Sequence, residues 1–127
     1  MSGELPTILV VEDEATLRVA YRELLPIFGF RVVVVATGHD AIELAADPDA
    51  QIAGALVDWD LPDMQGTQAI VGMRAHRPSL PALVCTGAIT PECQQQVDAL
   101  PQVAVIQKGS GVDKLRQALQ SMVLTGN

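Results

Sequence analysis

The sequence is short of lysine, of cysteine and of long hydrophobic runs. Lys108 and Lys114 are its only lysines, and Lys plus Arg number 8 against 15 Asp plus Glu in 127 residues. The net charge of −7 argues against direct nucleic-acid binding, because such surfaces use clustered cations to displace counterions from phosphates. The apolar runs are short and broken by charge or glycine, far from the roughly 20 residues that cross a bilayer, so no membrane association is expected. The opening stretch MSGELPTILV has no basic region before its apolar run, so no signal peptide is read. Cys85 and Cys93 are the only cysteines. They are expected to be free thiols in a reducing compartment, which points to the cytoplasm. What the chain does have is 49% hydrophobic residues, ample for one core at the usual size of one domain.

Its hydrophobic pattern alternates between two periods. Thr7–Val11 (TILVV), Arg31–Ala36, Ile52–Asp58, Pro81–Cys85 and Val103–Ile106 are short and apolar, as parallel strands covered on both faces should be. Between them lie helical patterns. Leu17, Tyr21, Leu24, Leu25 and Phe28 share one face of the first, with Gly29 as its stop. Pro26 cannot donate to the Arg22 carbonyl, so a kink or a loosened last turn is expected there. Gly38 opens the second helix, Thr67–His76 forms the third, and Thr90-Pro91 caps the fourth. Ser110 and Asp113 are read as a capping pair for the last helix. Five strands alternating with five helices give an α/β fold, with a five-stranded parallel sheet between two helical layers. The flavodoxin-like (βα)5 order 2-1-3-4-5 is adopted for it.

Ligands of such sheets gather beyond the carboxyl ends of the strands, and chemistry-bearing residues cluster there. The first strand ends in Glu12-Asp13-Glu14, the third in Asp58, the fourth in Thr86-Gly87 and the fifth in Lys108-Gly109. Close carboxylates repel unless a cation neutralises them. Oxygen ligands from two strands with room for water suit Mg²⁺. A bound Mg²⁺ would attract a phosphoryl group, with Lys108 and Thr86 placed to contact its oxygens. Asp58 would be the nucleophile, since a carboxylate can accept a phosphoryl group as a mixed anhydride. Each residue also has a plainer reading. Asp13 suits a helix cap, Asp58 a turn, Thr86 a strand end and Lys108 a solvated surface; it is their concurrence that favours the phosphoryl site.

These segments resemble the receiver domain of two-component response regulators. ILVVEDE is similar to that family's first strand and acidic pair, VDWDLPDMQG to its phosphoacceptor motif, LVCTG to its threonine strand and VIQKG to its lysine strand. The resemblance covers essentially residues 1–127 as one receiver domain without an output domain in this chain. It implies Asp58 as phosphoacceptor, Thr86 and Lys108 as phosphoryl contacts, and Mg²⁺ (or Mn²⁺) held by Glu12, Asp13, Asp58 and the main-chain carbonyl of Asp60. It also implies a histidine kinase or histidine phosphotransfer protein as donor, and signalling through a partner or a fused domain. The protein would not be a turnover enzyme, since it would catalyse only its own phosphorylation and dephosphorylation.

Two positions depart from the family pattern. Val105 stands where an aromatic residue usually precedes the lysine, and Gly109 where proline usually follows it. Valine has little rotamer travel and glycine loosens the loop, so the response to phosphorylation is expected in main-chain shifts near Thr86–Ile89. Asp60 adds a carboxylate that would tune the lifetime of the acyl phosphate. Trp59 is expected exposed or partly packed in its loop, and His39 and His76 on the surface. Cys93, in the first turn of the fourth helix, is read as a spectator. The face formed by the fourth helix, fifth strand and fifth helix is either a homodimer surface or a plain solvated one.

Two rival functions share these residues. A pseudo-receiver would keep the fold and bind partners without accepting phosphate. A haloacid-dehalogenase-like phosphatase also forms an aspartyl phosphate at a motif that Asp58-x-Asp60 resembles. That family carries its motif on the first strand, follows it with Thr or Val where this chain has Pro62, and needs room for a cap.

Overall fold

The computed structural model describes residues 4–125. Five strands, β1 (Thr7–Val11), β2 (Arg31–Val35), β3 (Gly54–Asp58), β4 (Ala82–Thr86) and β5 (Val103–Gln107), alternate with five helices. The helices are α1 (Ala15–Ile27), α2 (Gly38–Ala46), α3 (Gly66–Arg74), α4 (Pro91–Asp98) and α5 (Val112–Thr125). All strand pairs are parallel, in the order β2-β1-β3-β4-β5. This is the flavodoxin-like arrangement expected from the alternation of periods.

The sheet divides the interior into two cores because successive strand side chains face opposite ways. Leu9, Val11, Ala55, Val57, Ala82 and Val84 pack with Ala41, Ala45, Ile70, Met73, Cys93 and Val97 from α2, α3 and α4. Ile8, Val10, Leu56, Leu83 and Cys85 face the other way, onto Tyr21, Leu25, Leu119 and Met122 from α1 and α5. The three central strands are buried almost throughout, which is why they read as unbroken apolar runs. β2, at one edge, alternates between exposed and half-buried positions. Leu56 is about 1% exposed at the centre of β3; truncating it to alanine is worth about 2–5 kcal/mol of stability.

Pro26 sits inside the last turn of α1 rather than ending the helix. The turn tightens instead of loosening. The Gly29 amide bonds the Pro26 carbonyl at 3.1 Å and the Phe30 amide bonds the Leu25 carbonyl at 3.1 Å. That pair of bonds is the Schellman closure, and Gly29 supplies the positive φ of 96° it needs. Thr90 caps α4 as its sequence suggests, accepting from the Cys93 amide at 3.1 Å. The Ser110–Asp113 capping pair does not form at the expected place. α5 starts at Val112, so the residue before it is Gly111, with φ of 111°, and Asp113 lies beside Arg116 at 3.6 Å instead. Several other boundaries move by one or two residues. The most useful shift is in β4, which runs on to include Thr86 and so fixes the hydroxyl-bearing residue in the ladder.

Candidate phosphoacceptor site

The strand register aligns the chemistry at one edge. Val11 pairs with Val57 across β1 and β3, and Asp58 pairs with Cys85 across β3 and β4. Glu12, Asp58, Thr86 and Lys108 therefore emerge together at the carboxyl ends of four strands. Asp58 is 7% exposed, Glu12 2% and Thr86 5%, which is unusual for two carboxylates that share so small a volume. Asp13 is exposed at the rim. One carboxylate oxygen from each of Glu12, Asp13 and Asp58 lies within 4.8 Å of the others.

Lys108 is the cation that answers them. Its Nζ lies 3.2 Å from Asp58 Oδ2 and 3.4 Å from Glu12 Oε1. Its main-chain amide bonds the Thr86 carbonyl at 2.7 Å, so β4 holds the lysine at its root. Burial pulls the ammonium down, but the charges of Asp58 and Glu12 outweigh it and hold its pKa above the ordinary value. Glu12 is pushed up to about 7, first by burial and then by the Asp58 charge, against the Glu14 amide and Lys108 that favour its ionised form. One lysine leaves this edge short of positive charge. The donor set is all oxygen and carries more acids than one lysine offsets; both features fit a hard divalent cation.

The loop after β3 is built around Asp58. Asp58 Oδ1 accepts from the Asp60 amide at 3.3 Å, and the Trp59 amide bonds the Cys85 carbonyl at 2.9 Å. The Gly66 amide closes the loop onto the Trp59 carbonyl at 2.7 Å. A Cβ at Gly66 would stand 2.4 Å from the Asp58 carbonyl oxygen, so only glycine lets α3 begin this close to Asp58. The Asp60 carboxylate is not one of the three grouped acids. Thr86 is beside the site, but its hydroxyl bonds the Ala88 carbonyl at 3.0 Å rather than Asp58.

Three side chains behave otherwise than the sequence suggested or were not singled out by it. Trp59, expected exposed or partly packed, is buried at 9% exposed among the apolar residues of the α2–α3–α4 core, against which Leu61 and Met64 also pack. Asp63 accepts from the Gly38 and His39 amides at 2.9 and 2.8 Å, tying the loop after β3 to the start of α2. Arg18 donates to the carbonyls of Glu12 and Asp13. Its spacing of five and six residues after these acids was the available signal. Cys93 is fully buried and its thiol is pushed up by burial, as befits a spectator. Both cysteines are free. His39 and His76 are exposed.

Residues 8–120 match the family model of the response regulator receiver domain. The chain belongs to that family. This receiver domain is 26% identical to a response regulator receiver protein from Sinorhizobium medicae WSM419, with a TM-score of 0.86 over 99% of this chain and 100% of that one. It shares its fold with the receiver domain of a sensor histidine kinase from Pseudomonas aeruginosa PAO1, whose crystal structure has magnesium coordinated in its active-site cleft. That pair has a TM-score of 0.83 at 22% identity, over 96% of this chain and 100% of the other. The transcriptional regulatory protein KdpE of Mycobacterium tuberculosis is 29% identical over 118 residues, 91% of this chain and 50% of the relative. A cyclic di-GMP phosphodiesterase of Thermotoga maritima is 36% identical over 80 residues, 63% of this chain and 21% of the relative. The receiver thus matches between about a fifth and a half of the length of these curated relatives. Among the described residues, no helix is long and apolar enough to cross a membrane.

Proposed function

We propose that this receiver accepts a phosphoryl group on Asp58 from the phosphohistidine of a histidine kinase or a histidine phosphotransfer protein, in the cytoplasm. The observation that carries the reading is the contact of Lys108 Nζ with Asp58 Oδ2 at 3.2 Å, in a cleft shared with two more acids. Glu12, Asp13, Asp58 and the Asp60 main-chain carbonyl are the groups that would hold Mg²⁺ (or Mn²⁺). When bound, the ion supplies the positive charge that this edge lacks and offsets the phosphoryl oxygens.

An Asp58 carboxylate oxygen forms the new bond to phosphorus as the bond from phosphorus to the donor imidazole nitrogen breaks. The donor ring carries a proton on its other nitrogen, so when the electron pair of that bond returns to it the ring leaves as neutral imidazole. Lys108 holds the attacking carboxylate in place and neutralises charge on the transferring group. The Thr86 hydroxyl exchanges its bond to the Ala88 carbonyl for one to a phosphoryl oxygen. That exchange pulls on Thr86–Ile89, where the conformational response is expected, and the signal passes to a partner or a fused domain. The protein itself turns over no other substrate. Hydrolysis of the mixed anhydride resets it, and Asp60 tunes that step: Asp60→Asn is expected to change the dephosphorylation rate, and an equal rate in both proteins would remove Asp60 from the account.

Incubation with acetyl phosphate and Mg²⁺ tests the reading. The intact mass is expected to rise by one phosphoryl group, and the gain should vanish in Asp58→Asn or with a chelator. A folded native protein that gains no mass with acetyl phosphate or phosphoramidate would favour the pseudo-receiver alternative.

A further inference from the structure

We infer that Arg18 is a positioning residue for the cation site: its guanidinium clamps the carbonyls of Glu12 and Asp13 and so holds both acids facing the cleft. The inference rests on reading that cleft as a Mg²⁺ site.

Arg18 Nη1 donates to the Glu12 carbonyl at 3.0 Å and to the Asp13 carbonyl at 2.6 Å. Both carbonyls lie ahead of α1, whose ladder begins when the Glu14 carbonyl accepts from the Arg18 amide at 3.0 Å. The helix therefore satisfies neither of them. Glu12 has further restraints, because its amide bonds the Val35 carbonyl at 3.0 Å and its carboxylate accepts from the Glu14 amide at 3.1 Å. Asp13 has fewer. Its carboxylate makes no hydrogen bond among the described residues, and Glu14, the residue that caps α1, makes no side-chain capping bond. The Arg18 guanidinium is what ties the Asp13 peptide to α1.

Charge makes the placement informative. A cation in the first turn of a helix opposes the macrodipole, and a guanidinium this close to the acids repels a second cation in the cleft. An arginine kept only for its charge would thus work against both the helix and the metal. The two carbonyl bonds, both from Nη1, are the compensating contribution, and they need a charged donor held where the arginine side chain places it.

The two roles predict opposite signs. Mg²⁺ is titrated into native protein, Arg18→Ala and Arg18→Lys, followed by calorimetry and by the fluorescence of Trp59, the single tryptophan. The clamp predicts that Arg18→Ala binds Mg²⁺ about tenfold more weakly, and that Arg18→Lys loses less but in the same direction. Equal or tighter binding by Arg18→Ala would overturn the clamp, as removal of a repelling charge alone predicts. Should Arg18→Ala lose its helical signal, Arg18→Lys decides: its charge is native, so unchanged affinity overturns the clamp and weaker affinity supports it. Failure of the native protein to bind Mg²⁺ at millimolar concentration would overturn the cation site itself and the clamp with it.

Discussion

The two edges of the sheet use charge in opposite ways. At the amino-terminal edge Arg74 and Arg77 are engaged with main-chain carbonyls. Arg77 bonds Ala45, Asp47 and Ala50 at 3.0, 2.8 and 2.6 Å, and Arg74 bonds Leu80 and Gln102 at 2.9 and 3.3 Å. Arg77 closes the loop that feeds β3, and Arg74 the loops that feed β4 and β5. At the carboxyl-terminal edge, Glu12 and Asp58 are buried together, a third acid stands at the rim, and one lysine faces them. The first edge is satisfied as it stands, whereas the second carries like charges at a cost to stability. Unrelieved electrostatic strain of this kind is a signature of function, because it persists where it serves a ligand or a reaction.

The largest expected effect lies at the strained edge. Lys108→Ala should slow phosphorylation from a small donor by roughly 100- to 1000-fold, the usual loss on removing one preorganised electrostatic group. Single-turnover rates by intact mass measure it, and a loss below tenfold would mean that the lysine is not a phosphoryl contact. Arg77→Ala, at the other edge, should cost about 2–3 kcal/mol of stability, since hydrogen bonds to charged groups are lost together. Its phosphorylation rate should stay native once folded. Denaturant melts and the same rate assay separate the two edges, and a large rate defect would break the contrast.

The strained edge should also be visible in pH dependence. Folding raises the Glu12 pKa from its ordinary value to about 7, so the folded state holds a proton that the unfolded chain has released. Between pH 4.5 and 7 stability should therefore fall as pH rises. Glu12→Gln should remove that slope and gain about 2 kcal/mol at pH 8 in the absence of divalent cations. Metal-free urea titrations at pH 5 and 8 check it, and equal slopes in both proteins would contradict it.

The smallest effect belongs to Asp63, which joins the loop after β3 to α2. Its slight burial pushes its pKa up, but the Gly38 and His39 amides outweigh this and lower it. The stability it contributes is thus present above its unfolded pKa and lost as pH falls through the lower folded value. Asp63→Asn should cost about 0.5 kcal/mol at pH 7, since the exposed charge is screened by solvent, and less at pH 3. A pH-independent cost would mean that the carboxylate charge plays no part.

Much of this arrangement was readable from the residues because it is local to strand ends. TILVV, GALVD, ALVCT and VAVIQ are each apolar runs followed or closed by a chemically loaded residue, and parallel register brings those ends together. What escaped depends on partners that a local pattern does not pair. Asp63 meets amides 25 and 24 residues away, so its turn-like setting hid a role in another helix. The burial of Trp59 depends on how Leu61 and Met64 fold back over the α2–α3 core. The start of α5 was misread because Ser110 and Asp113 have the right capping chemistry, yet the chain turns through two glycines with positive φ before the helix begins.

Reduction with borohydride tests the phosphoacceptor assignment most directly, since it converts an aspartyl phosphate to homoserine and leaves free carboxylates intact. After treatment with acetyl phosphate and Mg²⁺, peptide mapping should find homoserine at position 58 and at no other acid. Conversion at Asp13 or Asp60 with Asp58 unchanged, or no conversion in a folded protein, would contradict the account.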